Sequence, residues 1–135
     1  MSSEFQENYS LVFIFSKNFD KVLLIEKEKK LDGITIKKNE EIESVQIAKK
    51  IFEDTNLKID PSHLRLVLQL PNVNKSWVFN VYMSIAEIEN VSNENYKLID
   101  VKNIPNNCHP TLVWLLPLCI DISVYGSNFN QILMK

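Results

Sequence analysis

A helix-forming segment in the middle of the chain constrains the fold most. Between residues 40 and 55, apolar side chains recur at helical spacing, at Ile42, Val45, Ala48, Ile51 and Phe52. Asn39 is the predicted N-cap, and the carboxylates of Glu40 and Glu41 favour the positive end of the helix dipole. Asn56 follows, where helices often end in left-handed geometry. The pattern therefore predicts one amphipathic helix.

Strand-like runs precede this helix. Residues 11–15 and 22–25 are continuous apolar runs, typical of strands buried on both faces. A charged connection over residues 26–30 leads through the Asp32-Gly33 turn signal into a short alternating piece at 34–36. The first third of the chain thus predicts three strands.

Further strands and a second helix follow. Residues 63–70 and 77–86 are rich in β-forming side chains and should pair antiparallel. A polar loop over 87–95 and a short extended piece over 98–101 lead to a last helix, expected from Pro110 to about Val124 and bent at Pro117. This order predicts an α/β (α+β) protein, an α/β/α sandwich around a mixed β-sheet.

Length and composition bound the remaining choices. A chain of 135 residues that is 45% hydrophobic supports one core, so we predict a flexible N-terminus over 1–8, one domain over 9–126 and a C-terminal tail over 127–135. A net charge of −2 offers no basic field, so direct nucleic-acid binding is not expected. The apolar run 112–122 contains Pro117 and Asp121 and is too short to span a bilayer, so no membrane association is expected.

The sparse glycine, cysteine and histidine residues exclude several kinds of site. Two glycines cannot build the loops of P-loop or Rossmann proteins. Cys108 and Cys119, without a secretory segment, favour a reducing cytoplasm, with a disulfide as the minority reading. His63 and His109 lack metal-ligand spacing, so turn or capping roles are expected for them.

One segment resembles a known signature. Glu53-Asp54-Thr55-Asn56-Leu57, preceded by Ile51, Lys49-Lys50 and Glu41, resembles the signature of the Nudix (MutT-like) pyrophosphohydrolases. That signature reads Gly, five residues, Glu, seven residues, Arg-Glu, an aliphatic residue, any residue, Glu-Glu, any residue, Gly and an aliphatic residue. Thr35 stands where its first Gly belongs. Residues 97–105 and 108–118 also look like the corresponding C-terminal part of small phage-type Nudix proteins.

The resemblance implies a metal site and also damage to it. In the family, carboxylates at the positions of Lys50, Glu53 and Asp54 hold a divalent metal on one helix face. Lys50 replaces one of them, so the resemblance implies a degenerate Nudix box. If the protein is active, Glu53 and Asp54 are the expected catalytic and Mg²⁺-binding residues. Five other carboxylates could restore the missing ligand: Glu40, Glu41, Glu43, Glu87 and Glu89.

Three functions stay open at this point. The first is a catalytically impaired, cytoplasmic pseudoenzyme that binds a nucleotide-type ligand or a protein partner, with Glu41, Lys50 and Tyr82 as candidate ligand-binding residues. The second is an active Mg²⁺-dependent pyrophosphohydrolase of a nucleoside diphosphate derivative. The third is a phage accessory module in the host cytoplasm that binds protein through a sheet edge or residues 127–135.

The aromatic side chains and the family resemblance add two further expectations. Trp77, Phe79 and Tyr82 could line a base-stacking pocket, although Trp77 and Phe79 are expected in the core and Trp114 in helix packing. Nudix relatives are often dimers, so the resemblance also allows a homodimer.

Overall fold

The computed structural model describes residues 7–89, 91 and 93–133, with the backbone alone for 73 and 125–133. The strands are β1 (Glu7–Phe15), β2 (Lys21–Lys27), β3 (Lys30–Asp32), β4 (Ile34–Lys37), β5 (Arg65–Asn72), β6 (Trp77–Ile85) and β7 (Tyr96–Asp100). The helices are α1 (Glu43–Thr55) and α2 (Leu112–Leu133). Two 3-10 turns, Pro61–His63 and Val73–Lys75, flank β5.

β1 is the central strand of one mixed seven-stranded sheet. It pairs in parallel with β6 along its whole length, from Glu7 opposite Trp77 to Phe15 opposite Ile85. Its other edge pairs antiparallel with β4 and then with β2. The order is β3-β2-β1-β6-β5, with β7 added to β2. The predicted antiparallel pairing of β5 with β6 is confirmed.

The two helices cover opposite faces of this sheet. Leu11, Phe13 and Phe15 point to the face that packs against the buried side of α2. Val12 and Ile14 point to the other face, where they pack with residues of α1. Strand side chains alternate between the two faces, so a continuous apolar run is what a doubly covered strand needs. The predicted α/β/α sandwich is confirmed.

The charged connection over residues 26–30 forms a hairpin and not a plain loop. β2 continues to Lys27 and pairs with β3 in a register that leaves only Glu28 and Lys29 in the turn. Both have positive φ, 52° and 66°. A two-residue hairpin requires this geometry, which matches the twist of the strands but usually selects Asn or Gly. The sequence analysis did not predict this turn, because neither Glu28 nor Lys29 is a residue type that such turns usually select.

The start of α1 differs from the prediction and its end agrees with it. The helix begins at Glu43, and its N-cap is Ile42 without a side-chain hydrogen bond, so Asn39 is not the N-cap. The Asn39 side chain instead accepts a hydrogen bond from the Glu41 backbone N–H at 2.7 Å. At the other end, Asn56 has φ 63° and its N–H donates to the Phe52 carbonyl, as expected for a left-handed C-cap.

The outer segments are more regular than the sequence indicated. α2 continues past the expected end near Val124 and includes Pro117 in its interior. β1 begins at Glu7, so two residues assigned to the flexible N-terminus pair in the sheet. Both cysteines are free thiols. In the part of the chain that the structure describes, neither helix combines the length and apolar character needed to cross a bilayer.

Candidate functional site

One side of α1 carries two residues of the signature alignment, Lys50 and Asp54, together with Glu43. Glu43, Lys50 and Asp54 stand at i, i+7 and i+11, which places them on one side of the helix. The same side borders Ile47 and Ile51, whose complete burial against the sheet anchors α1. The charged groups of these three side chains therefore lie at the junction between α1 and the sheet.

Hydrogen-bond donors and a cation surround the Asp54 carboxylate. Lys50 Nζ lies 3.6 Å from Asp54 Oδ1, and the Tyr96 hydroxyl donates to Asp54 Oδ2 at 2.9 Å. Burial, and then this bond to Asp54, raise the pKa of Tyr96 above its usual value. Asn93 also donates to the backbone carbonyl of Asp54 at 3.0 Å. Both side-chain oxygens thus already have partners.

This environment does not fit a resident divalent cation at Asp54. A hard cation such as Mg²⁺ needs several oxygen ligands, and Lys50 brings a positive charge to a point where such a site needs a carboxylate. Among the described residues, no group of three or more His, Cys, Asp or Glu side chains is arranged to hold a metal ion.

The Glu43 carboxylate accepts hydrogen bonds from side chains of the sheet. The Tyr82 hydroxyl donates to Glu43 Oε2 at 2.7 Å, and the Asn80 side-chain amide donates to Glu43 Oε1 at 3.3 Å. Gln69 in turn donates to Asn80 Oδ1 at 2.7 Å. Burial, followed by the bond to Glu43, raises the pKa of Tyr82 to about 12. This network ties the first turn of α1 to β5 and β6.

The other aligned carboxylates lie apart from this junction. Glu53 is exposed and, one residue before Asp54, projects about 100° away from it around the helix. Glu41 precedes α1 and pairs with Lys49 at 2.6 Å. The hydrogen bond from Lys49 is the main cause of the lowered pKa of Glu41. The structure therefore groups Lys50 with Asp54, and Glu41 with Lys49, as two separate pairs.

The remaining candidates have other surroundings. Glu87 forms an exposed ion pair with Lys17 of the β1–β2 turn at 3.0 Å. Glu40 and Glu89 are exposed. His109 Nδ1 accepts a hydrogen bond from the Thr111 backbone N–H at 3.2 Å, just before α2. This contact agrees with the turn or capping role that was expected for His109.

Tyr82 does not share a pocket with the other two aromatic candidates. It points toward α1, whereas Trp77 and Phe79 point to the opposite face of the sheet. There they pack against each other with ring centroids 5.3 Å apart, and Phe79 stacks on Tyr9 at 5.2 Å. The three side chains therefore do not line one stacking pocket, and Phe79 packs against the core under α2, as expected for it. Trp114, expected in helix packing, is half exposed on α2.

A small cavity lies beside Phe79, between the sheet and the start of α2. Its volume is about 160 Å³, and Leu11, Phe79 and Leu112 form its apolar wall. Asp32, Thr35, His109 and Thr111 also line it. The cavity is smaller than the roughly 300–1,000 Å³ of typical ligand pockets, so it fits one ring and not a whole nucleotide.

Solved structures that are described as Nudix hydrolases share this architecture. A NUDIX-family hydrolase from Clostridium perfringens matches with a TM-score of 0.63 at 17% identity, over 82% of this chain and 94% of that one. A nudix hydrolase family member from Chromobacterium violaceum gives 0.68 at 16% identity, over 98% and 91% of the two chains. A MutT NUDIX hydrolase from Burkholderia pseudomallei gives 0.66 at 13% identity, over 83% and 96%.

The chain has the Nudix fold. At these identities the likeness establishes the architecture alone. No protein-family model matches the sequence, and no curated protein matches it significantly. Within this Nudix fold, α1 contains the aligned positions Lys49, Lys50, Glu53 and Asp54, whereas the aligned Glu41 precedes it.

Two residues of the α1 junction in this Nudix-fold protein were missed by sequence reasoning. Asn80 interrupts an apolar strand with an amide, and this was the one local signal that could have identified it. Tyr96 gave no signal, because its partner Asp54 is 42 residues away in sequence. Contacts between residues this far apart in sequence depend on the strand pairing, which the sequence pattern does not specify.

Proposed function

We propose that this Nudix-fold protein is catalytically impaired and binds a nucleotide-type ligand without hydrolysing it. The observation that carries the proposal is the Asp54 carboxylate, which lies between the Lys50 ammonium and the Tyr96 hydroxyl. In the Nudix signature the position of Lys50 is acidic. Replacing that carboxylate with an ammonium group removes one ligand and opposes the approach of a cation to Asp54.

Two features support a nucleotide-type ligand. The cavity beside Phe79 offers an apolar wall and polar groups suited to one flat ring. On the other side of the sheet, with α1, Lys50 is about half exposed, so its ammonium is available to an anionic group that binds there and not to one attached to a ring in this cavity. Of the three candidate ligand-binding residues, Lys50 is favoured, because its contact with Asp54 is long at 3.6 Å, whereas Glu41 is bonded to Lys49 at 2.6 Å and Tyr82 to Glu43 at 2.7 Å.

Two alternatives each have an observation in their favour. An active Mg²⁺-dependent hydrolase of a nucleoside diphosphate derivative is supported by Glu43, a carboxylate two turns before Lys50 on the same helix side. A module that binds protein, as in a phage accessory factor or a homodimer, is supported by the exposed Val113 and Trp114 on α2.

Calorimetric titration of Mg²⁺ and Mn²⁺, paired with turnover of nucleoside diphosphate derivatives, tests the proposal. We expect the wild type to bind metal weakly and to show no metal-dependent turnover. Lys50→Glu should tighten Mg²⁺ binding at least about tenfold, because a ligand replaces an opposing charge. Lys49→Glu is the matched control, since it makes the same charge change one position away and should tighten binding less.

The alternatives give different results in the same assays. Tight metal binding with turnover that Glu53→Gln abolishes would establish the active hydrolase. For ligand binding, we expect ADP without metal to raise the melting temperature, because binding to the native state stabilises it by mass action. Phe79→Ala should remove this shift after correction for its own lower stability. No shift with any nucleotide, in protein that is shown to be folded, would favour the protein-binding module.

A further inference from the structure

An aromatic cluster of Tyr9, Trp77 and Phe79 lies on the α2 side of the sheet, next to the small cavity beside Phe79. Tyr9 and Trp77 stand near the starts of β1 and β6, and their rings meet edge to face with centroids 5.9 Å apart. Phe79 contacts both rings and also lines the cavity. All three side chains are partly exposed. The cluster is therefore continuous with the cavity through Phe79.

Strand β4 brings a lysine to the same face of the sheet. Thr35, which lines the cavity, pairs with Leu11, and Lys37 pairs with Tyr9. Residues two apart in a strand share a face and are separated by roughly 7 Å. The Lys37 Nζ lies 3.5 Å from Glu7 Oε1, and 64% of the Lys37 side chain is exposed. This cation is thus available to a group that leaves the cavity past Thr35.

A second lysine lies over the Trp77 end of the aromatic cluster. The Lys75 Nζ is 5.6 Å from the centroid of the Trp77 ring, and that centroid is 5.3 Å from the centroid of Phe79. Cations are attracted to the face of an indole ring, which favours this position of the ammonium group. The ion pairs found in the described part of the chain do not include Lys75. Among those residues its charge therefore has no carboxylate partner.

The charges around the aromatic cluster favour an anion. The Glu7 carboxylate accepts a hydrogen bond from the Tyr9 hydroxyl at 2.6 Å, in addition to its contact with Lys37. The ammonium groups of Lys37 and Lys75 outweigh this one carboxylate, although the whole chain has a net charge of −2. A phosphate monoester carries about −1.5 to −2 charges at pH 7, and its oxygens accept hydrogen bonds from ammonium groups. Two lysines therefore match the charge of one terminal phosphate.

We propose that Lys37 and Lys75 bind the phosphate of a nucleoside monophosphate whose base occupies the cavity beside Phe79. This binding mode rests on the proposed function, and it specifies the class of nucleotide and the place of its phosphate. The base packs against Phe79, and the sugar and phosphate extend over the aromatic cluster. The phosphate then lies on the side of the sheet opposite α1, where the two ammonium groups neutralise its charge.

Calorimetric titration of AMP and UMP without metal, each compared with its own nucleoside, tests this binding mode. We expect the monophosphate to bind at least about tenfold more tightly than the nucleoside, because only the monophosphate reaches the two lysines. Lys37→Gln and Lys75→Gln should each weaken monophosphate binding about fivefold and leave nucleoside binding unchanged. Lys97→Gln removes the same charge from an exposed position of β7 and should change neither affinity.

Glu7→Gln tests the same site in the opposite direction, which a loss of folding cannot imitate. Removing this carboxylate should tighten monophosphate binding about threefold, because it no longer repels the phosphate or pairs with Lys37. Failure of both monophosphates and both nucleosides to bind would overturn the proposed function together with this binding mode. Equal affinities of monophosphate and nucleoside, or equal effects of Lys37→Gln, Lys75→Gln and Lys97→Gln, would overturn this binding mode alone.

Discussion

Gly33, which lies between β3 and β4 in the sequence, is required because it packs closely against side chains of β1. A Cβ atom built at this position would lie 2.7 Å from both Leu11 Cδ1 and Phe13 Cε1. Both neighbours are buried, so neither can move away without disturbing the layer under α2. The sequence marked Asp32-Gly33 as a turn, which was wrong, because Asp32 ends β3 and Gly33 alone joins it to β4. The sequence could not show that a side chain at position 33 would clash, because Leu11 and Phe13 belong to another strand.

We expect Gly33→Ala to lower the free energy of unfolding by about 1–3 kcal/mol, as overpacking of a core does. Urea unfolding followed by fluorescence of the two tryptophans measures the change. Thr35→Ala, two residues on in β4 and exposed, should change stability by less than about 0.5 kcal/mol. Equal stability of Gly33→Ala and the wild type would mean that the sheet can relax around the new methyl group.

The helix α1 shows which parts of an element its own sequence specifies. Helical spacing predicted its existence, and Asn56 correctly predicted its end. Its start was placed too early, since Asn39 has the side chain of an N-cap but instead holds the Glu41 backbone N–H in the preceding turn. Gln46 contributes to the same shift by donating to the Lys37 carbonyl at 2.7 Å. These competing contacts join the helix to β4, so local propensity alone could not reveal them.

The left-handed backbone conformation of Asn56 can be tested by substitution. Asn56→Gly should preserve or raise the melting temperature, because glycine adopts positive φ without a Cβ penalty. Asn56→Ala should destabilise the protein by about 1 kcal/mol, since alanine tolerates this geometry less well. Thermal unfolding of the pair by circular dichroism gives the comparison. A more stable alanine variant would show that the helix can end elsewhere.

Across the whole molecule, two phenols join the sheet to α1. Tyr82 reaches Glu43 from β6, and Tyr96 reaches Asp54 from β7, so the helix is fixed at both ends. Sequence reasoning predicted the layers correctly because the continuous apolar strands and their order with the two helices determine them. It did not predict these two polar links, because each depends on the register of distant strands. It also placed Glu53 beside Asp54 in function, whereas their directions on the helix differ.

These links predict weaker folding in alkali. The folded pKa of Tyr82, about 12, exceeds its usual value of 10.0, so its contribution is complete below pH 10 and is lost as pH rises toward 12. We therefore expect the free energy of unfolding to fall across this interval, and to fall less steeply in Tyr82→Phe. Urea unfolding at several pH values measures both slopes. The thiol of Cys119, with a pKa of about 12, contributes equally to both proteins. Identical slopes would show that the Tyr82 hydroxyl is not held in the folded protein.

The central position of β1 has a consequence for synthesis on the ribosome. Its parallel partner β6 begins 70 residues later, at Trp77 opposite Glu7. At translation rates of about 5–20 residues per second, the apolar strand waits roughly 4–14 s for that partner to emerge. During this interval one edge of β1 is open to pairing with other chains. The yield of native protein in cells should therefore depend on chaperones that shield nascent chains, even when the finished molecule is stable.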